Sequence, residues 1–275
     1  SQGMRVQTVG GGGGAVSARA NSVRMGSLSI SGDSSGGDIK VINKGSISTK
    51  GAGSTGLNIM SLGGGGGAVF GISTDTAKFG TLARGMTVDA SGGDIEVMNN
   101  AALIRTEGEA ASALTASSGG GGGGFIAEIG GDLLGGSNTA GNTSAGDVSI
   151  TNRATLVTLG DGSIGLAALS HGGGHAFSGP IRSGEQLVSV GNIGSSDGSA
   201  GKLNISNTAA IQTSGSAAPA ILLQSVGGGG VYAPVASDPD FYWLGNAGTN
   251  STGNNADSVE INTEGNITTE GIGSQ

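Results

Sequence analysis

Residues 36–67 read GGDIKVINKGSISTKGAGSTGLNIMSLGGGGG, and the order of residue types in this stretch recurs along the chain. Residues 145–174 read AGDVSITNRATLVTLGDGSIGLAALSHGGG, and residues 200–230 read AGKLNISNTAAIQTSGSAAPAILLQSVGGGG. A copy from Gly92 carries one extra residue near Ala101, and a copy from Ser258 stops before its glycine run. Each copy holds three short apolar runs. The first alternates apolar and polar residues, as in Ile39 and Val41, Ile95 and Val97, Val148 and Ile150, Leu203 and Ile205, or Val259 and Ile261. A period of two places one face of a strand inward. Asn43, Asn99, Asn152 and Asn207 follow it; asparagine tolerates a left-handed backbone, so a tight turn is expected there. The second run carries Ile47, Leu156, Ile211 or Ile267. The third carries Leu57 and Ile59, Leu114 and Ala116, Leu166 and Ala168, or Ile221 and Leu223, and Met4 and Val6 fit the same slots.

The spacing of the punctuating residues is regular. Glycine runs occupy 10–14, 63–67, 119–124, 172–174 and 227–230, with Gly65, Gly121, Gly173 and Gly228 inside the last four. A hydroxyl residue precedes each run: Thr8, Ser61, Ser118, Ser170 and Ser225, at separations of 53, 57, 52 and 55 residues. Ten residues before the last four hydroxyls stand Gly51, Gly108, Gly160 and Gly215, and two residues earlier Thr49, Thr106, Thr158 and Thr213; Thr269 and Gly271 continue both series. Short β-runs bounded by Gly and Asn, repeated without helical periodicity, describe an all-β chain. The expected fold is a repetitive β-solenoid, a parallel β-helix, with glycine-run turns and about five units of roughly 55 residues. One such solenoid spans 1–275, with units at approximately 1–37 (partial), 38–93, 94–146, 147–201, 202–257 and 258–275 (partial).

Between units lie variable stretches, such as 68–91, 125–145 and 231–257. They open on apolar residues that include Phe70, Phe125, Phe177 and Tyr232, which reads as one further strand, or two, followed by a loop. Five or six strands per unit predict two or three coils per unit. Ten to fifteen coils, with strands about 4.8 Å apart, predict a rod roughly 50–70 Å long. No unit buries its own face, so stability depends on neighbours. Ser1-Gln2 and Ser274-Gln275 fall at the same repeat phase, and the chain opens without Met; a window from a longer array is the expectation.

Composition agrees with this reading. Glycine fills 60 of 275 positions, which disfavours helix because interior glycine costs about 0.5–1 kcal/mol against alanine. Four prolines and no strict three-residue glycine period exclude collagen. A 35% hydrophobic share with 12% charge argues against plain disorder. Twelve basic against twenty acidic residues leave a net charge of −8, so nucleic acid and anionic membrane are not expected partners. Cysteine is absent, which removes disulfides and thiolate metal sites. No apolar run is long enough for direct membrane insertion of this segment.

Chemistry-bearing motifs are sparse. The glycine runs match part of a dinucleotide loop trivially, but no helix or P-loop Lys follows them; close backbone packing in a polyglycine-type array is the expectation. His171 and His175 flank a glycine run, and a spacing of four on a non-helical segment does not gather a metal pair. Ser170-His171 has no visible acid or oxyanion partner. Asp38, Asp94 and Asp147 share one slot that Lys202 and Ser258 also fill, without the tandem nine-residue pattern of a calcium ladder; turn hydrogen bonding is expected. One threonine per unit is too sparse for an ice-binding face. Tyr232, Phe241, Tyr242 and Trp243, with Pro234 and Pro239, form the one aromatic-rich loop. It reads either as a contact loop, since Trp and Tyr dominate binding hot spots, or as a loop folded onto the rod. No catalytic residue, metal or cofactor is expected.

The blocks at 39–67, 95–124, 148–174 and 203–230 resemble those in the passenger regions of large Gram-negative autotransporter adhesins. That resemblance implies a secreted β-helix displayed at the cell surface beyond the outer membrane. It further implies a structural or adhesive role and partners among neighbouring repeats, copies of the same protein, and host or bacterial surface ligands. A self-assembling extracellular filament subunit and a β-helix enzyme acting on polysaccharide are the alternatives.

Overall fold

The computed structural model describes residues 2–17, 20–25, 32–79, 89–129, 132–135, 142–178, 187–190, 198–232, 241–244 and 253–273. These residues contain strands and no helix, and all the paired strands run parallel, stacked into four sheets, as in a β-solenoid. Sheet I stacks Ile39–Asn43, Ile95–Asn99, Val148–Asn152, Leu203–Asn207 and Val259–Thr263. Sheet II stacks Ile47–Thr49, Leu103–Thr106, Thr155–Thr158, Ile211–Thr213 and Ile267–Thr269. Sheet III stacks Met4–Val9, Leu57–Leu62, Leu114–Gly119, Leu166–His171 and Ile221–Val226.

Sheet IV is built from the segments that follow the glycine runs. Among the described residues it has nine strands. One is the 14-residue strand Gly66–Phe79; elsewhere two shorter strands take its place, such as Gly123–Ile129 and Asp132–Gly135.

The register is direct. Ile39 pairs with Ile95, Ile95 with Val148, Val148 with Leu203 and Leu203 with Val259. In sheet III, Leu57 pairs with both Met4 and Leu114. Each strand therefore lies beside its equivalent in the next copy, and one copy makes one coil. This corrects the expectation of two or three coils per copy: the variable stretch adds width as a fourth sheet, where extra turns were expected. With five strands in each of sheets I, II and III, the stack rises about 20 Å at the usual strand spacing.

The interior lies between sheets I, II and III. Ile39, Val41, Ile95, Val97, Val148, Ile150, Leu203 and Ile205 meet Ile104, Leu156 and Ile211, and Leu57, Ile59, Leu114, Ala116, Leu166 and Ala168. In sheet I burial alternates as the period of two predicts, with Lys40 exposed between Ile39 and Val41. Sheet III differs. Every residue of Leu57–Leu62, Leu114–Gly119 and Leu166–His171 is buried. Met60, Leu62, Ala167 and Leu169, with Ile164, form a second apolar cluster on its other face. A near-continuous small and apolar run is what a strand buried on both faces looks like.

Candidate functional site

Sequence reasoning marked repeated slots rather than a pocket, and the structure shows what each slot touches. The asparagines come first. Asn43 Nδ2 donates to Asn99 Oδ1 (2.8 Å), Asn99 Nδ2 to Asn152 Oδ1 (2.7 Å), and Asn152 Nδ2 to Asn207 Oδ1 (2.7 Å). Asn207 Nδ2 closes the series on Thr263 Oγ1 (3.2 Å). All four asparagines are buried, and none has a positive φ. The expected left-handed turn is therefore corrected. These side chains form a ladder through the stack, because an amide carries both donor and acceptor and can serve the neighbours above and below.

The threonines lock the bend after sheet II. Thr49, Thr106, Thr158 and Thr213 each donate their hydroxyl to the carbonyl five residues on, at Ser54, Ala111, Ser163 (3.1 Å) and Ala218 (2.7 Å). Gly51, Gly108, Gly160 and Gly215 follow. A Cβ at Gly108 would fall on the Gly51 carbonyl, at Gly160 on that of Gly108, and at Gly215 on that of Gly160. Bare backbone is required there because successive coils touch. Two residues later the backbone is left-handed at Gly53, Ala110, Gly162, Ala217 and Gly273. Two copies thus spend an alanine in a conformation that costs roughly 1–2 kcal/mol.

The hydroxyls before the glycine runs are clamps. Ser61 donates to the Gly37 carbonyl (2.9 Å) and accepts the Gly93 amide (2.8 Å). Ser118 repeats this with Gly93 (2.9 Å) and Gly146 (2.8 Å), and Ser170 with Gly146 (2.9 Å) and Gly201 (2.7 Å). Ser225 joins the Gly201 carbonyl (3.0 Å) and the Asp257 amide (2.9 Å). Each serine ties sheet III to the returning chain of two consecutive coils. The proton of Ser170 is thereby committed to Gly146. His171 is buried at the end of a sheet III strand, while His175 begins a strand of sheet IV.

Within the glycine runs, Gly64, Gly121, Gly173 and Gly228 have φ between +74° and +82°, and Gly65 has φ +85°. The Gly65 amide donates to the Gly10 carbonyl and the Gly122 amide to that of Gly63, both at 2.7 Å. The amides of Gly64, Gly121, Gly173 and Gly228 turn instead to the returning chain, at Ser34, Ala90, Thr143 and Gly198.

The aspartate slot also bonds between coils. Asp38 Oδ1 accepts the Asp94 amide (2.9 Å), Asp94 Oδ1 the Asp147 amide (2.8 Å), and Asp147 Oδ1 the Lys202 amide (2.7 Å). These carboxylates line an open groove with Lys40 and Glu96. Among the described residues no three His, Cys, Asp or Glu side chains gather to hold a metal ion. A bond from the Ser258 amide lowers the Asp257 carboxyl below its ordinary 3.8. Burial lowers the Arg5 guanidinium to about 10.

The aromatic group is redistributed. Tyr232 ends the strand Gly230–Tyr232 and pairs with Phe177. Phe241, Tyr242 and Trp243 form a strand with Leu244, paired with Leu187–Val190 at the edge of sheet IV. These residues were expected in a loop; a parallel neighbour offering free backbone groups draws them into the sheet. Pro234 and Pro239 lie outside the described residues, as do Ser1, Ser274 and Gln275.

No protein-family model, curated protein or solved structure matches this chain.

Proposed function

We propose that this chain is a non-catalytic rod segment of a bacterial extracellular adhesin. In this reading about five units of roughly 55 residues form one β-solenoid with glycine-run turns, displayed from the outer membrane as in autotransporter passengers. One observation carries it: the repeated polar slots, Asn43 to Asn207, Thr49 to Thr213, Ser61 to Ser225 and Asp38 to Asp147, are spent on hydrogen bonds that hold bends or join coils. Such side chains set length and stiffness, and they leave contact with the surroundings to the stretches between them. Phe241, Tyr242 and Trp243, on an edge strand, are the residues assigned to that contact, because large rigid aromatics supply most binding energy at protein surfaces.

Beads coated with the chain test the reading on epithelial and bacterial cells. Retention by one of these surfaces, reduced about tenfold by Tyr242→Ala with Trp243→Ala at unchanged Tm, supports it. No retention on either surface, or retention indifferent to both substitutions, counts against it.

A further inference from the structure

Sheet III buries a second face, and the chemistry of that face changes along the stack. Side chains alternate across a strand, so Leu57 and Ile59 join the main interior while Asn58, Met60 and Leu62 point the other way. Asn58 stands in register with Thr115, Thr115 with Ala167, and Ala167 with Leu222. A second row lies just before the strands. Backbone bonds from Gly56 to Ser112, Ala113 to Ile164 and Gly165 to Pro219 set Thr55 beside Ser112, Ser112 beside Ile164 and Ile164 beside Pro219. Both rows are polar at Thr55, Asn58, Ser112 and Thr115, then apolar at Ile164, Ala167, Pro219 and Leu222. Ile164 and Ala167 belong to the second apolar cluster, with Leu222 packed against it. The polar rows therefore run into the same layer as that cluster.

These polar side chains are deeply buried and short of partners. Thr55, Asn58 and Thr115 are 0%, 1% and 3% exposed. Thr55 Oγ1, Asn58 Nδ2 and Thr115 Oγ1 have no hydrogen-bond partner among the described residues. Ser112 Oγ accepts the Ile164 amide (3.1 Å) and has a proton to donate. The repeated asparagines and serines of the other slots, by contrast, bond within the stack. The position is internal: Leu57–Leu62 lies between Met4–Val9 and Leu114–Gly119, and Leu114–Gly119 has Leu166–His171 on its far side.

A buried amide or hydroxyl that loses its water without a replacement is costly, so such groups in folded proteins are nearly always paired with protein or with ordered water. In-register neighbours stand about 4.8 Å apart at the backbone. Two hydrogen bonds of about 2.8 Å through one water oxygen span that separation. A buried water needs two to four polar partners, and Asn58 Nδ2 supplies a donor while Thr115 and Thr55 supply hydroxyls that donate or accept. Arg5 continues the row in the first coil and donates to Gln7 Oε1.

We infer that ordered water is built into this layer, in a file that runs along the stack from Thr55 and Asn58 to Ser112 and Thr115. Asn58 Nδ2 donates to a water oxygen, and that water donates to Thr115 Oγ1. Ile164 and Ala167 end the file, because they offer no side-chain donor or acceptor. Water is the ligand because Thr55, Asn58, Ser112 and Thr115 are neutral and combine donors with acceptors. The inference stands apart from the rod reading, which needs no water in the layer.

A crystal structure of the 275-residue chain, grown in bromide and resolving ordered solvent elsewhere in the molecule, tests it. Oxygen density within bonding reach of both Asn58 Nδ2 and Thr115 Oγ1, without anomalous scattering there, is expected. Magnetic relaxation dispersion of water reads the same molecules in solution by their long residence. The variant Asn58→Leu with Thr115→Val removes both polar groups at similar size. It is expected to lose the corresponding part of the dispersion amplitude while keeping its β circular dichroism. Direct protein bonds to Asn58 Nδ2 and Thr115 Oγ1 overturn the inference, as does the absence of density between them. A bromide signal at the site, which would mark an anion drawn by Arg5, overturns it too, as does a folded variant with unchanged dispersion. The parent crystal needs no substitution and decides the matter even if the variant fails to fold.

Discussion

Ile150 and Ile261 occupy the same slot of the same sheet, yet Ile150 is 1% exposed and Ile261 43%. Both sit in a strand paired to the copy before it, Ile150 with Val97 and Ile261 with Ile205. Among the described residues a further coil lies over Ile150, through its pairing with Ile205, and none over Ile261. Burial in this molecule is conferred by the neighbour along the stack, so central and terminal coils with nearly the same sequence pattern have different energetics. Strength grows with the number of coils, as expected of an assembly whose units contact only their neighbours.

Truncating the two isoleucines breaks the comparison most sharply. Ile150→Ala is expected to cost about 2–5 kcal/mol, the usual loss for a buried aliphatic. Ile261→Ala is expected to cost less than about 1 kcal/mol, because its surface is already wet. Chemical denaturation of both variants reads the difference, and equal costs would mean that burial does not depend on the next coil.

Glycine substitution separates neighbour from backbone strain. Gly64 and Gly228 share a left-handed φ, +75° and +82°. A Cβ at Gly64 would lie 2.8 Å from the Gly122 nitrogen, whereas at Gly228 the nearest atom is in the Asn254 side chain at 3.4 Å. Gly228→Ala is expected to lose only the roughly 1–2 kcal/mol of left-handed strain. Gly64→Ala adds a backbone clash to that, and its Tm is expected to fall further.

The asparagine ladder gives a smaller contrast. Asn152→Ala removes the partner of both Asn99 and Asn207, and a loss of about 1–3 kcal/mol is expected from the buried polar groups left unpaired. Thr263→Ala, at the exposed end, is expected to cost less than about 0.5 kcal/mol.

The smallest effect lies on the rim. Hydrogen bonding from Arg105, assisted by the charge of Lys50, holds the Glu107 carboxyl below its ordinary 4.5. A carboxyl lowered on folding contributes stability that is present above its unfolded value and lost as pH falls through its folded value. The melting temperature is therefore expected to decline slightly as pH drops below about 4.5. Glu107→Gln is expected to remove that part of the decline. An identical pH profile in the variant would show that the pair adds nothing to the stack.

Much of this architecture was legible in the residues. Alternation at Ile39 and Val41 marked the inner face of sheet I, and the recurring Thr49 and Gly51 marked a bend between sheets II and III. The asparagines were visible as a series that turns the chain, and Asn43, Asn152 and Asn207 do bond the backbone two residues on; their bonds to the next coil were not visible, because both roles leave the same trace in a sequence. Cross-coil pairs such as Lys40 with Glu96 leave no repeated trace, since the residues differ between copies and meet only once register sets one above another.

The period, the three strands of each copy, the inner face of sheet I and the places where only glycine or a small hydroxyl would serve follow from the residues alone. These are local properties, set by side-chain alternation, conformational freedom and hydrogen-bonding capacity. Tertiary structure alone decided that one period closes one coil, that the variable stretch becomes a fourth sheet, and which residues of distant copies touch. The reason is geometric: a repeat length counts how often a pattern returns, while the number of turns made between returns depends on which backbone finds which partner.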